Sequence, residues 1–297
     1  MIRSKANPQV KYLRRLARRS QRDKEGHFLL EGVRLVEEAL SSGWPVKMLV
    51  YSPSGSERAG ALLEMARERG IQLLPVEEGL LDELADTKTP QGVLAVVEKP
   101  GCTLEEILAA GPSLMLLVDG VQDPGNLGTI IRSADAAGAG GVILFPGTVD
   151  LYNPKTIRAT MGSLFHLPVV AVREREDVLT RLNAAGFMLV AGVPASGIPL
   201  PAVDMTRPVA LAVGNEARGL SSWLLERADL LATIPMPGRA ESLNVAAAAS
   251  IMLYEAVRQR MGCDQDQAGF VSVHQNHYDE DSTASNRVHP GFKARPR

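Results

Sequence analysis

Six short, nearly continuous apolar runs constrain this chain more than any other feature: Leu114–Val118, Gly141–Phe145, Pro168–Val172, Met188–Val193, Val209–Val213 and Leu230–Ile234. A half-exposed strand alternates apolar and polar residues, because successive side chains face opposite sides. These runs do not alternate, so both faces need cover. Helical stretches lie between most of them, and helices on both faces of a parallel sheet are the usual solution. The second half is expected to be an α/β unit with a parallel sheet. A final helix over Leu243–Met261 closes it, and its Ala246–Ala249 stretch permits close approach of another surface.

The first half also alternates, with shorter elements. The pattern predicts a basic amphipathic helix over Pro8–Gln21, helices over Val33–Leu40, Glu57–Arg69 and Glu77–Ala85, and strands over Phe28–Leu30, Val46–Tyr51, Ile71–Val76 and Gly92–Glu98. Lys99-Pro100-Gly101 and Gly111-Pro112 then flank a short helix over Thr103–Ala110, capped by Thr103. At 297 residues the chain has room for two domains. The expected division is a smaller α/β domain at 1–99, a connector at 100–112, a second domain at 113–262 and a tail at 263–297. The tail is polar and holds His274, His277 and His289, a composition that predicts disorder. His274 and His277 with Asp279–Asp281 are of metal-binding type, but histidines in a flexible polar tail are usually just solvated, and no metal site is expected.

Three polar turns follow three of the apolar runs. After Leu114–Val118 come Asn126-Leu127-Gly128 and Arg132. After Val209–Val213 come Gly214-Asn215-Glu216 and Gly219-Leu220. After Leu230–Ile234 come Pro235-Met236-Pro237-Gly238 and then Glu241-Ser242-Leu243-Asn244-Val245. Turns at the carboxyl ends of parallel strands share one edge of the sheet, where α/β folds build ligand sites. Gly214 allows close backbone approach. Pro235 has no N–H for a strand ladder, so the chain turns there and frees backbone groups. Simpler readings stand beside these: Asn126 and Ser242 as helix caps, Glu216 as a cap for a helix over Ser221–Ala228, and Arg132 in a surface ion pair. A dinucleotide enzyme is disfavoured, since the glycines after Asp119 do not follow G-x-G-x-x-G and the next strand ends in Pro146-Gly147 with no acid for a ribose.

Charge decides little overall, at a net −2, but it is uneven. Residues 1–24 hold nine basic side chains and one acid, Asp23, which leaves +8 on one segment. Such a segment is the footprint of a polyanion partner, with Lys11, Arg14, Arg15 and Arg18 as candidate contacts, or else a solvated helix face. Lys155 and Arg158 are further candidates or ordinary surface charges. Two cysteines, Cys102 and Cys263, have no partner at metal spacing, which fits a reducing compartment. With no apolar leader and no run near the ~20 residues of a membrane span, a cytoplasmic location and no membrane association are expected.

The order and spacing of the three turns resemble the signature motifs of the SpoU/TrmH family of RNA ribose 2′-O-methyltransferases in the SPOUT superfamily. Asn7-Pro8-Gln9-Val10-Lys11, Leu29-Leu30-Glu31-Gly32 and Thr89-Pro90-Gln91-Gly92-Val93 resemble the substrate-binding domain of members acting on ribosomal RNA, a module similar to small ribosomal proteins. The segment from Asn153 to Pro168 also resembles the family, with Thr160-Met161-Gly162-Ser163 where Ser-Gly-Ala is usual. The resemblance implies a deep trefoil knot, S-adenosylmethionine as cofactor, a homodimer, and an RNA substrate, ribosomal rather than transfer RNA. It assigns substrate-side chemistry to Asn126, Arg132, Glu216, Ser242 and Asn244, and cofactor binding to Gly214, Ile234, Met236 and Leu243. A transfer RNA enzyme is one alternative. A non-catalytic RNA-binding or ribosome-assembly protein of the same fold is another, but it has no chemical need for all five polar residues.

Overall fold

The structure, a computed structural model, describes residues 1–53 and 56–265. Its first half opens with α1 (Pro8–Arg15) and α2 (Arg19–Glu25), then β1 (His27–Glu31), α3 (Val33–Ser41), β2 (Val46–Tyr51), α4 (Ser56–Glu68), β3 (Gln72–Pro75), α5 (Glu78–Leu84) and β4 (Val93–Glu98). The four strands form one sheet in the order β1-β4-β2-β3, with β4 antiparallel to both neighbours. The single basic helix expected over Pro8–Gln21 is instead two. Arg22 causes the break: its guanidinium turns back and donates to the carbonyls of Leu16 and Ala17, at 2.8 and 2.7 Å, which a continuing helix would have used itself.

The second half follows as α6 (Leu104–Ala109), β5 (Leu114–Asp119), α7 (Pro124–Ala136), β6 (Gly141–Leu144), α8 (Pro154–Thr160), β7 (Val169–Ala171), α9 (Arg175–Ala184), β8 (Met188–Gly192), β9 (Ile198–Pro199), β10 (Val209–Gly214), α10 (Ser222–Leu225), β11 (Leu230–Thr233) and α11 (Val245–Gln265). Its sheet runs β7-β6-β5-β10-β8-β11-β9, parallel at every pairing. The expected parallel sheet is thus present, with one addition: β9 is a two-residue edge strand too short to leave a periodic signal, and its Pro199 suits an edge. Helices α1, α7 and α8 all begin at an Asx-Pro pair, Asn7-Pro8, Asp123-Pro124 and Asn153-Pro154. In each the side-chain oxygen caps a backbone N–H and the proline fills the first position.

Two helices differ from expectation. The helix expected over Ser221–Ala228 spans only Ser222–Leu225. The final helix starts at Val245, two residues after Leu243, and continues to Gln265. The first three residues of the expected tail are therefore helical. Residues 266–297, with His274, His277, His289 and Asp279–Asp281, lie outside the described residues.

Gly128 in α7 explains how α7 and α8 cross so closely. A Cβ there would stand 2.4 Å from Ala159 Cβ and 2.6 Å from the Thr156 carbonyl oxygen. Its role is packing, not ligand contact.

The two halves share a core. Phe28 stacks at 4.7 Å on Tyr152, and Trp44 meets Phe165 edge-on at 5.0 Å. Phe28, Trp44, Tyr152 and Phe165 thus form an aromatic cluster at the junction. Burial pushes the Tyr152 phenol well above its ordinary range. Beneath the aromatics, Arg22 pairs with Asp150 across the junction, their side chains 5% and 12% exposed. Removing one partner strands the other charge, so Asp150→Ala is expected to destabilise the fold by about 3 kcal/mol. Urea unfolding checks this. An unchanged midpoint would mean that the pair contributes nothing net.

Candidate functional site

Since the large sheet is parallel, β5, β10, β8 and β11 all end on one edge, and β10 lies beside β5. There the loops after β8, β10 and β11 enclose a cleft of about 500 Å³. All four expected cofactor positions, Gly214, Ile234, Met236 and Leu243, line it, together with Glu216, Ser242 and Asn244. Asn126 and Arg132 do not.

The cleft suits an adenosine-bearing ligand that is held largely by backbone. Its inner wall is apolar, with Val213, Leu225, Val245 and Met252. The loop after β10 closes on itself, Asn215 and Gly219 exchanging backbone hydrogen bonds of 2.9 Å in both directions. Gly214 makes this possible, because a Cβ would stand 2.3 Å from both Gly219 C and Leu220 N. From Pro235 to Leu243 no backbone group bonds to another backbone group among the described residues. Those amides and carbonyls remain available to a ligand, as expected from Pro235. S-adenosylmethionine fits these features.

At the mouth of the cleft one hydrogen-bonded chain joins the three motifs. The Glu216 carboxylate accepts the backbone N–H groups of Gln122 and Asp123 and the Asn126 amide, each at 3.0 Å. Asn126 Oδ1 in turn accepts from the Asn244 amide at 3.0 Å. Asn244 Oδ1 then accepts the N–H groups of Ala246 and Ala247 and so caps α11. The simpler readings shift accordingly. Asn126 is not a helix cap, since Asp123 caps α7 by accepting the Asn126 N–H at 2.8 Å. Ser242 is not one either, because Asn244 does that work. Ser242 stays exposed in the cleft. Glu216 does cap backbone, but on the loop before α7 rather than on its own helix.

Glu216 titrates below the ordinary glutamate range. Burial alone would raise it, but the Asn126 amide and the Asp123 and Gln122 N–H groups outweigh that. The carboxylate is therefore ionised at neutral pH and makes a poor proton acceptor. A depressed folded-state pKa contributes stability above the unfolded value and loses it as pH falls through the folded value. Glu216→Gln is expected to flatten the decline in stability as pH drops below 4.5, the unshifted glutamate value. Denaturant midpoints from neutral to acid pH measure this, and parallel wild-type and variant curves would refute it.

Arg132 stands apart from the chain. Asn126 is in the first turn of α7, whereas six residues at ~100° each carry Arg132 about 120° round the helix. Of the two, only Asn126 sits at the start of α7 (Pro124–Ala136). Arg132 is exposed and has neither a hydrogen bond nor an ion pair among the described residues. No surface ion pair holds it.

The expected RNA contacts separate into two groups. Lys11, Arg15 and Arg18 are exposed and have no acidic partner among the described residues. Arg14 pairs with Glu83, Arg158 with Asp86 at 2.7 Å, and Lys155 with Asp123 at 3.2 Å, which sets Lys155 beside the first motif. Arg22, counted in the +8 segment, is buried and structural. Pattern reading missed Asn215 and Thr148. The Asn215 amide donates to the Gly120 carbonyl at 2.8 Å, tying the second motif to the first. Thr148 Oγ1 accepts the Gly120 N–H at 3.1 Å and donates to the Val118 carbonyl at 3.2 Å. For Asn215 the signal was its place between Gly214 and Glu216; Thr148 offers none.

The family model described as the SpoU rRNA Methylase family matches residues 113–254, and that of the MRM3-like substrate binding domain matches residues 7–95. Over 253 residues the chain is 41% identical to the 23S rRNA (guanosine(2553)-2′-O)-methyltransferase RlmP of Bacillus subtilis (strain 168), an alignment covering 85% of this chain and 97% of that protein. It is also 41% identical, over 254 residues, to the 23S rRNA (uridine(2479)-2′-O)-methyltransferase of Streptomyces viridochromogenes, with 83% and 88% covered. A solved AdoMet-bound rRNA methyltransferase from Sinorhizobium meliloti is similar at a TM-score of 0.78 and 39% identity, covering 86% of this chain and 97% of that one. The SpoU methyltransferase AviRb from Streptomyces viridochromogenes, in complex with AdoMet, is similar at a TM-score of 0.78 and 37% identity, with 86% and 100% covered.

Proposed function

The chain belongs to the SpoU rRNA methylase family, and from that premise we propose that it transfers a methyl group from S-adenosylmethionine to a ribose 2′-hydroxyl of large-subunit ribosomal RNA. The observation that carries this reading is the Glu216–Asn126–Asn244 chain at the mouth of a backbone-walled cleft. S-adenosylmethionine, when bound, supplies an electrophilic methyl group on a sulfonium. Gly214, Ile234, Met236 and Leu243 would hold it. Glu216 fixes the Asn126 amide, and Asn126 fixes Asn244, so both amides meet the ribose already oriented. Ser242, free in the cleft, has a hydroxyl to offer the substrate. Arg132 stays protonated, so its part is to grip phosphate or stabilise the developing oxyanion, not to accept the proton.

Residues 1–99 serve as the RNA-binding domain and 113–262 as the methyltransferase domain in this reading, with Lys11, Arg15 and Arg18 meeting phosphates. The knot comes with the family. It is supported by the path after β11, where the chain leaves a strand near the sheet edge and returns as α11 to pack on α7, Ser250 Oγ lying 2.7 Å from Ser133 Oγ. The protein works as a homodimer through α11, which exposes Ile251, Tyr254 and Met261 on one side. A monomeric mass at micromolar concentration would count against the dimer. No helix among the described residues is long and apolar enough to cross a membrane, and a cytoplasmic site of action accords with a ribosomal substrate.

Incubation with tritiated S-adenosylmethionine and unmodified ribosomal or transfer RNA tests the reaction. The expected result is label on a ribose of ribosomal RNA, mapped as an alkali-resistant dinucleotide. Label confined to transfer RNA would overturn the substrate, and no binding of donor would overturn the reaction.

A further inference from the structure

Arg175 belongs to none of the three motifs, yet its guanidinium sits where three strand-end loops meet. Its Nη2 donates to the Pro146 carbonyl after β6 at 3.1 Å and lies 3.3 Å from Asp119 Oδ1 at the end of β5. Its Nη1 donates to Ser221 Oγ, just past the second motif, at 3.3 Å. The Phe145 and Trp223 rings lie 5.7 and 5.8 Å from the guanidinium carbon. Arg175 is also the first residue of α9, where the helix dipole disfavours a cation. The position is therefore electrostatically costly unless these contacts offset it.

The contacts converge on the cofactor loop. Asp119 is 4% exposed, and its Oδ2 accepts the Ser221 backbone N–H at 2.9 Å. This fixes the far end of the second-motif loop to β5. The near end is fixed by the Asn215 amide on the Gly120 carbonyl. Between the two pins the loop is tightly folded, since a Cβ added at Gly214 would stand only 2.3 Å from Gly219 C and Leu220 N. A buried carboxylate without a counter-charge is costly, and Arg175 supplies that charge while bonding Ser221 directly.

Building on the proposed methyl transfer, we propose that Arg175 is a positioning residue for the cofactor. Through Asp119 and Ser221 it holds the second-motif loop in its binding shape, and it touches neither cofactor nor RNA.

The test is calorimetric titration of S-adenosylhomocysteine into the full chain, wild type against Arg175→Gln, with steady-state methylation alongside. The expected result is about a tenfold weaker Kd and a matching rise in KM for S-adenosylmethionine. Expected to hold are kcat at saturating donor, within about twofold, and RNA affinity. Arg175→Lys keeps the charge but not the planar fork, so it should recover only part of the loss. Unchanged affinity in a folded Arg175→Gln protein overturns the proposal, as does a fall in kcat with KM unmoved. Should Arg175→Gln fail to fold, Asp119→Asn keeps the side-chain shape and should show the same KM-weighted loss; its absence is equally fatal. If wild type itself binds no S-adenosylhomocysteine, it is the methyl-transfer reading that fails. If wild type binds and the variants bind equally well, only the role of Arg175 fails.

Discussion

Arg132→Ala is expected to lower methylation by about a hundred- to a thousandfold while leaving the melting temperature unchanged. The size follows from the loss of one charged donor at a developing oxyanion. The unchanged melting temperature follows from the structure: Arg132 is exposed on α7 and has no hydrogen bond or ion pair among the described residues, so its truncation breaks no polar interaction among them. Few variants separate catalysis from stability so cleanly. The kinetics also identify the role. Equal falls in kcat and kcat/KM mark a contact made only in the transition state, whereas a rise in KM for RNA alone marks a phosphate grip. Full turnover by the folded variant would remove Arg132 from the mechanism.

Gly214→Ala is expected to abolish measurable cofactor binding, with affinity down at least about a hundredfold. The reason is steric. Gly214 does not have a positive φ, so the backbone itself accepts alanine. The added methyl, however, meets backbone atoms of Gly219 and Leu220 at 2.3 Å, well inside any real Cβ contact. Backbone on both sides cannot step aside as a flexible side chain would. The loop must open, and with it goes the cleft wall. Gly238→Ala is the control: it lies in the third motif with nothing within 4 Å of the added carbon. Titration of S-adenosylhomocysteine into both variants gives the answer. Near-wild-type binding by Gly214→Ala would show that the loop can relax and that the cleft is not shaped by this contact.

The apolar runs of the second half were legible because a strand covered on both faces has little freedom in composition. Five residues such as Leu114–Val118 state their burial without any partner in view. The Asx-Pro starts of α1, α7 and α8 are legible for the same local reason, since a cap and a fixed φ act within a few residues. The basic segment reads less well. Its charges look alike in sequence, but Arg22 is buried against Asp150, Arg14 pairs with Glu83, and Lys11, Arg15 and Arg18 stand free. Those partners lie some 70 to 130 positions away along the chain, beyond any local pattern.

The site divides in the same way. Its residue types and its place at the carboxyl edge of a parallel sheet were determined by sequence alone, because strand period, glycine and proline act locally. The division of labour among those residues was not. Glu216 could be read as a site residue or a cap, and only the fold turns it toward the Gln122 and Asp123 N–H groups. Asn244 rather than Ser242 caps α11 because the chain turns into the helix two residues late. Arg132 points away from Asn126 because a helix rotates each residue by a fixed angle. Arg175 carries no motif at all and acquires a role only where β5, β6 and β10 end side by side. Sequence fixes what a short segment can do with its own backbone. Which distant group it meets, and so whether a charge binds, caps or braces, is decided by long-range packing, which brings together residues that no local energy connects.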